Sequence, residues 1–219
     1  MSIPLSATQS VTGDELFVIV AAYVLGCFTS AYYWAKWRTG IDIRYRGSGN
    51  VGARNAGRLL GRSAFIITFL FDLTKGALAV SAATHFAVRP EIVVAVMVAV
   101  VVGHSWPVQL RFHGGKGVAT SLGALLGFDV LLALILILLF LPLWALIRNF
   151  TLSGLLAFAL LPLAVFLCGL GNIEVAASSF LAILILITHR RNIREEIAGL
   201  FPDRPLKESA MHRPKGRGS

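Results

Sequence analysis

The chain has 219 residues, 56% of them hydrophobic and only 14% charged, with a formal net charge of +9. A mean hydropathy of +0.75 is too apolar for a soluble domain with one covered core, and the composition reads as a polytopic membrane protein. The positive balance does not point to nucleic acid, because the basic residues sit at the ends of apolar runs. Cys27 and Cys168 both lie inside such runs and supply neither a disulfide framework nor a metal-ligand set.

Met1 to Asp14 reads as a short external tail. It lacks the basic region of a cleavable signal, so the first apolar run is expected to stay as a span. That run, Leu16 to Trp37, is long enough to cross a bilayer, since about 20 residues at 1.5 Å rise match ~30 Å of hydrocarbon. Tyr32, Tyr33, Trp34 and Trp37 form an aromatic belt at its end, with Lys36 and Arg38 among and after them. Next comes a glycine-rich basic stretch, Arg46 to Arg62, RGSGNVGARNAGRLLGR. Glycines let backbone N–H groups approach a ligand, successive N–H groups form an anion-binding nest, and arginine forks suit phosphate. This is the composition of a phosphate-holding loop; a plain basic loop between spans would also satisfy the positive-inside rule.

Ala64 to Val88 is the second expected span and Glu91 to Leu110 the third. Asp72 and Lys75 lie deep in the second, where ionisable residues are expensive, and at i,i+3 they can pair with each other as a structural support. Gly103 to Thr120, GHSWPVQLRFHGGKGVAT, is a second polar island. Gly114, Gly115 and Gly117 bracket Lys116 at the start of a helix, which joins a point charge to backbone donors. It is not a nucleotide-binding P-loop, because Gly117 stands where that motif needs a hydroxyl. For His104, a cap or turn role and a ligand role are both open. Val118 to Leu126 is a short helix after the GGKG loop that enters the membrane partway or crosses it. Val130 to Ile147 and Leu152 to Leu170 are ordinary spans, and Ile173 to Thr188 is slightly short at about 24 Å. The third island, His189 to Arg194, HRRNIR, places His189 and Asn192 on one helical face. Phe201 to Ser219 reads as a basic, disordered tail with attraction to anionic lipid.

Charge sets the expected orientation. With the first basic loop cytoplasmic, alternating spans bring Lys36, Arg38, Arg111, Lys116, Arg148 and the tail to the same side. Arg89, Glu91, Asp129 and Glu174 fall opposite. This requires the short Val118 to Leu126 segment to count as a crossing. The expected fold is therefore an all-α integral membrane protein with seven transmembrane helices, N-terminus outside and C-terminus cytoplasmic. Residues 1–200 form a single membrane domain and 201–219 the tail.

At these residues the chain resembles the bacterial acyl-phosphate-dependent glycerol-3-phosphate acyltransferase (PlsY) family over nearly its whole length. GSGNVGARN at Gly47 to Asn55 is similar to that family's first motif, GHSWPVQLRFHGGKGVAT to its second and HRRNI to its third; DLTKG at Asp72 to Gly76 also matches. The resemblance implies transfer of an acyl chain from acyl phosphate to glycerol 3-phosphate, giving lysophosphatidic acid, at the bacterial inner membrane with the site facing the cytoplasm. Carried over by position, His189, Asn192, Lys116 and Ser48 are the catalytic candidates. Arg58, Asn50, Gly49, Gly115, Gly117, Thr120 and Ser153 are the substrate-binding ones. The implied partners are the two substrates, membrane lipid and the upstream enzyme that forms acyl phosphate; no metal or other cofactor is implied. Arg54 stands where the family usually has threonine, Thr151 where it has serine, and Cys27-Phe28-Thr29 where it has Ser-Ile-Pro. Glu195 and Leu200 replace a usual arginine and glutamate.

Two features narrow the chemistry. No GxSxG elbow supports a serine nucleophile, and no HxxxxD follows any histidine, which sets aside the other large family of glycerolipid acyltransferases. The rivals left open are a small transporter of phosphorylated metabolites, although transporter sites favour the midplane over one boundary, and a lipid-phosphate-binding paralogue without turnover.

Overall fold

The computed structural model describes residues 10–86 and 88–194. The expected tail from Phe201, and the departures at Glu195 and Leu200, lie outside the described residues. Residues up to Thr188 make one compact unit and those from His189 a second.

Helix α1 (Gly13–Cys27) starts at a capping box: Thr12 Oγ1 accepts from the Glu15 N–H, and a Glu15 carboxylate oxygen accepts from the Thr12 N–H. The expected first span is one path in two pieces, because Phe28 and Thr29 are extended before α2 (Ser30–Thr39) begins. No proline causes the break. The carbonyls freed there find side-chain donors instead: Lys75 Nζ lies 3.2 Å from the Gly26 oxygen and 2.8 Å from that of Phe28, and Gln109 Nε2 donates to Cys27. Inside a membrane such partners are obligatory.

The first basic island is not loop throughout. After Gly52 its Ala, Arg and Leu residues form α3 (Ala53–Leu60), which stops at Gly61 with φ 90°. Then follow α4 (Arg62–His85), α5 (Pro90–Ser105), α6 (Val118–Phe128), α7 (Val130–Ile147), α8 (Phe150–Leu167) and α9 (Asn172–Thr188), with short 3-10 turns at Ile43–Tyr45 and Val108–Leu110. Among the described residues there is no strand. Five segments are long and apolar enough to cross a membrane: Gly13–Thr39, Arg62–His85, Pro90–Leu110, Val130–Ile147 and Phe150–Leu167. Val118–Phe128 and Asn172–Thr188 are apolar but shorter.

Small residues bring the helices together, as expected where lipid removes the hydrophobic drive between them. A β-carbon on Gly123 of α6 would lie 1.9 Å from the Leu73 carbonyl oxygen of α4, and one on Gly103 of α5 would lie 2.1 Å from that of Tyr23 in α1. The contacts step forward together along α4 and α6, Gly123 against Leu73 and Gly127 against Ala77, so these two helices run parallel. Just before α5, Arg89 grips Glu15 of α1 with two hydrogen bonds of 2.7 and 2.8 Å. In the second unit, residues 190–194 are helical and the Ile193 N–H donates to the His189 carbonyl at 3.0 Å.

Candidate functional site

The first glycine loop is held from below by a buried side chain. Asn55, at the start of α3, accepts the Ser48 N–H at 3.0 Å and donates to the Arg46 carbonyl at 3.0 Å, with the Ile43 carbonyl at 3.4 Å. One amide thus fixes three backbone points of the loop. Gly49, with φ 71°, turns the chain so that its N–H reaches the Arg46 carbonyl. Beneath lies an apolar cluster that includes Ile43, Val51, Ala56 and Leu110. Ser48 itself is exposed and Asn50 half-buried.

The second loop is built on the end of α5. Gly114 and Gly115 donate their N–H groups to the Ser105 and His104 carbonyls at 3.1 and 3.0 Å, and Gly117, with φ 82°, caps α6. The two loops are joined directly. The Val51 N–H donates to the Gly114 carbonyl at 3.2 Å, and Arg44 Nη1 donates to the Leu110 carbonyl at 2.9 Å. Arg44 is held for this by Asp42, whose carboxylate it meets at 2.6 Å, and lies over the rings of Tyr32 and Tyr45. That guanidinium keeps the Asp42 carboxyl below its usual range. The Thr188 hydroxyl, at the end of α9, lies 2.9 Å from the Lys116 carbonyl.

A buried cluster supports this frame from inside the bundle. The Asp72–Lys75 pair expected from sequence is present at 2.9 Å, and His104 joins it with Nδ1 2.8 Å from Lys75 Nζ. An ammonium can only donate, so Nδ1 is the acceptor. The far side of the same imidazole abuts Gly115, where a β-carbon would sit 1.9 Å from Nε2. These contacts are those of a structural support for the loop that carries Lys116.

The site candidates distribute as follows. Ser48, Gly49, Asn50, Gly115, Lys116 and Gly117 lie on the two joined loops, and Arg58 is exposed on α3. Thr120 is fully buried against α4, where Gly76 leaves room for its carbonyl, and its hydroxyl has no hydrogen-bond partner among the described residues. Ser153 is buried in α8 with its hydroxyl donating to the Asn149 carbonyl at 2.8 Å. The start of α8 is tied to α3 by Arg54, whose Nη1 donates to Thr151 Oγ1 at 2.5 Å. His189 and Asn192 belong to the second unit. Sequence reading did not single out Asn55 or Arg44. Arg44 lies in the Ile43–Tyr45 turn and Asn55 in the first turn of α3, and only the partner each finds elsewhere in the chain reveals its use.

Two joined glycine loops, one carrying a lysine and the other leading into an arginine-bearing helix, match a known group of proteins. The family model for glycerol-3-phosphate acyltransferase matches residues 16–199. The chain belongs to the glycerol-3-phosphate acyltransferase family. Glycerol-3-phosphate acyltransferase 1 of Desulfitobacterium hafniense is 44% identical over 182 residues, covering 83% of this chain and 90% of that protein. Its counterpart in a strain of Bacillus cereus is 39% identical over 176 residues, covering 80% and 95%. Among solved structures, PlsY, described as an integral membrane glycerol 3-phosphate acyltransferase, superposes in its glycerol 3-phosphate form. The TM-score is 0.78 at 34% identity, with 85% of this chain and 94% of that one covered. Its lysophosphatidic acid form gives 0.76 at 33%. With these relatives, the long apolar helices identify the acyltransferase chain as a multi-pass membrane protein.

Proposed function

We infer that the chain transfers a fatty acyl group from acyl phosphate to the 1-hydroxyl of glycerol 3-phosphate, an early step of phospholipid synthesis. The products are lysophosphatidic acid and inorganic phosphate. The observation that carries this reading, within a family that bears the activity in its name, is the Val51–Gly114 hydrogen bond, which sets the Ser48 loop and the Lys116 loop edge to edge.

Both reactants carry phosphate, so the main physical task is to hold two anions close together. Lys116 and Arg58 anchor phosphate by charge, and Ser48, Asn50 and the N–H of Gly117 orient it, while Gly49 and Gly115, whose own N–H groups are bonded within the frame, let it approach the backbone closely. Thr120 and Ser153 shape the walls. His189 and Asn192 align the glycerol hydroxyl, whose oxygen attacks the acyl carbonyl carbon. The carbonyl–phosphate C–O bond breaks, phosphate leaves with the electron pair, and the hydroxyl proton goes to His189 or to an oxygen of that phosphate. The activated donor makes a covalent enzyme intermediate unnecessary.

The same reading has seven crossings, with α6 and α9 as the short ones, the N-terminus outside and the C-terminus inside. The site faces the cytoplasm at the inner leaflet of a bacterial plasma membrane. Residues 1–200 form the acyltransferase domain, 201–219 a tail, and the enzyme that makes acyl phosphate is a partner. The charge distribution supports that orientation. The test is purified protein in liposomes with acyl phosphate and glycerol 3-phosphate. Stoichiometric phosphate and lysophosphatidate are expected; uptake of glycerol 3-phosphate without lipid product would make the protein a transporter instead.

A further inference from the structure

Arg54, Arg58 and Arg62, together with Gly57, Phe65 and Ile66, line a cleft of about 520 Å³ between α3 and the start of α4. The cleft exists because Gly57 lets the two helices close up: a β-carbon there would come within 2.8 Å of Phe65 Cβ. None of its three guanidinium groups meets a carboxylate among the described residues. Arg54 has one hydrogen bond, to Thr151, and stacks over Phe150 at 5.4 Å. Burial and the neighbouring Arg58 charge both lower its affinity for its proton. The cleft therefore holds concentrated positive charge that no carboxylate among the described residues meets.

Its floor is the opposite in character. Phe65 and Ile66 are 38% and 52% exposed, and one turn further along α4 Phe69 stacks on Phe65 while Leu70 is 52% exposed. These side chains face outward on a 24-residue helix that starts at Arg62. At 1.5 Å per residue it is about 36 Å long and crosses a bilayer. The arginines thus sit at the head-group level and the apolar floor runs into hydrocarbon.

We propose that this cleft is a binding site for an anionic phospholipid of the surrounding bilayer. Its phosphate lies between the Arg54 and Arg62 guanidiniums, and one acyl chain runs along Phe65 and Ile66. Guanidinium forks pair with phosphate oxygens bidentately. A water-soluble anion would leave the exposed phenyl and isoleucine faces unused, and a zwitterionic lipid would bring an ammonium group toward three arginines. The bound lipid offsets the mutual repulsion of those arginines and holds α3, with the Ser48 loop before it, against α4. The inference rests on membership of the membrane, not on the acyl-transfer reading. Arg58 also serves that reading, so the test avoids it.

The experiment is native mass spectrometry of the full-length detergent-purified chain, titrated with palmitoyl-oleoyl phosphatidylglycerol or with the phosphatidylcholine of the same chains. Wild type should retain phosphatidylglycerol about 25-fold better. R54Q/R62Q should lose most of that preference, at about fivefold per arginine, and R54K/R62K should keep part of it. Equal retention of the two lipids by wild type, or an undiminished preference in R54Q/R62Q, overturns the proposal. So does a double variant that still prefers phosphatidylglycerol but shows a raised KM for acyl phosphate, because the cleft then belongs to the donor. If the double variant does not fold, Arg62→Gln alone, at an exposed helix start, must show the fivefold loss.

Discussion

The Val51 N–H donates to the Gly114 carbonyl across 3.2 Å, joining two glycine-rich loops that lie more than sixty residues apart in sequence. Arg44 reinforces the same seam at the Leu110 carbonyl. The loops are therefore one braced edge, and the backbone positions that carry Ser48 and Lys116 hold a fixed spacing before any substrate arrives.

Asn55→Leu should loosen that edge. It strands the Ser48 N–H and the Arg46 carbonyl, at about 1–3 kcal/mol each where they stay dry. The expected result is a lower thermal midpoint in detergent and a raised KM for glycerol 3-phosphate. Asn55→Asp keeps the acceptor, loses the donors and should fall between. Unchanged values for both variants would mean the clamp is dispensable.

Lys75→Met removes the ammonium that Asp72, His104 and two main-chain carbonyls share. Leaving a buried carboxylate unpaired costs about 3–5 kcal/mol. The D72L/K75M pair should recover part of this and no more, because the carbonyls at the α1–α2 break remain without their donor. Full recovery in a chemical-denaturation series would show that those carbonyl contacts contribute nothing.

Gly123→Ala puts a methyl group 1.9 Å from the Leu73 carbonyl oxygen and must part α4 from α6, with an expected loss of about 1–3 kcal/mol. Gly154→Ala is its control. Nothing lies within 4 Å of a β-carbon there, so the higher helix propensity of alanine should leave stability equal or better. Similar melting curves for the two variants would contradict the packing described.

Lys116→Ala should lower kcat/KM about 100-fold or more, with the fold intact by circular dichroism. Lys116→Arg should retain part of the activity, since charge survives while geometry changes. Phosphate release provides the assay. Full activity in the alanine variant would remove Lys116 from the site.

Acid should weaken the Asp42–Arg44 brace. The Asp42 carboxyl is held below its ordinary value of 3.8, first by its hydrogen bonds to Arg44. A depressed folded-state pKa stabilises the folded protein above that ordinary value, and the contribution disappears as pH falls through the lower one. Wild type should therefore lose stability relative to Asp42→Asn below about pH 4, and the gap between them should be constant from about pH 5 to 8. A gap that does not narrow in acid would rule out the brace.

Much of this architecture was legible in the sequence. Apolar runs marked the helices, and the Val130–Ile147 boundaries coincide at both ends because Asp129 caps the start and Arg148 turns left-handed at the finish. The Asp72–Lys75 pair was legible because i,i+3 spacing is local. The break at Phe28–Thr29 was not, since its cause is a lysine and a glutamine supplied from α4 and the loop after α5. Helix α3 was obscured by its own composition, as arginines that suit a phosphate loop also suit a helix, and Gly57, which reads as a loop residue, serves its close approach to α4. His104 left two readings open, and the choice between them required knowing what lay across the bundle.

The order of synthesis gives that break a further meaning. Gly26, Cys27 and Phe28 leave the ribosome well before Lys75 and Gln109, the residues that receive their carbonyls. A bend whose polar groups face hydrocarbon alone is costly, so the crook in α1–α2 can hold only once the later segments carrying Lys75 and Gln109 stand beside it.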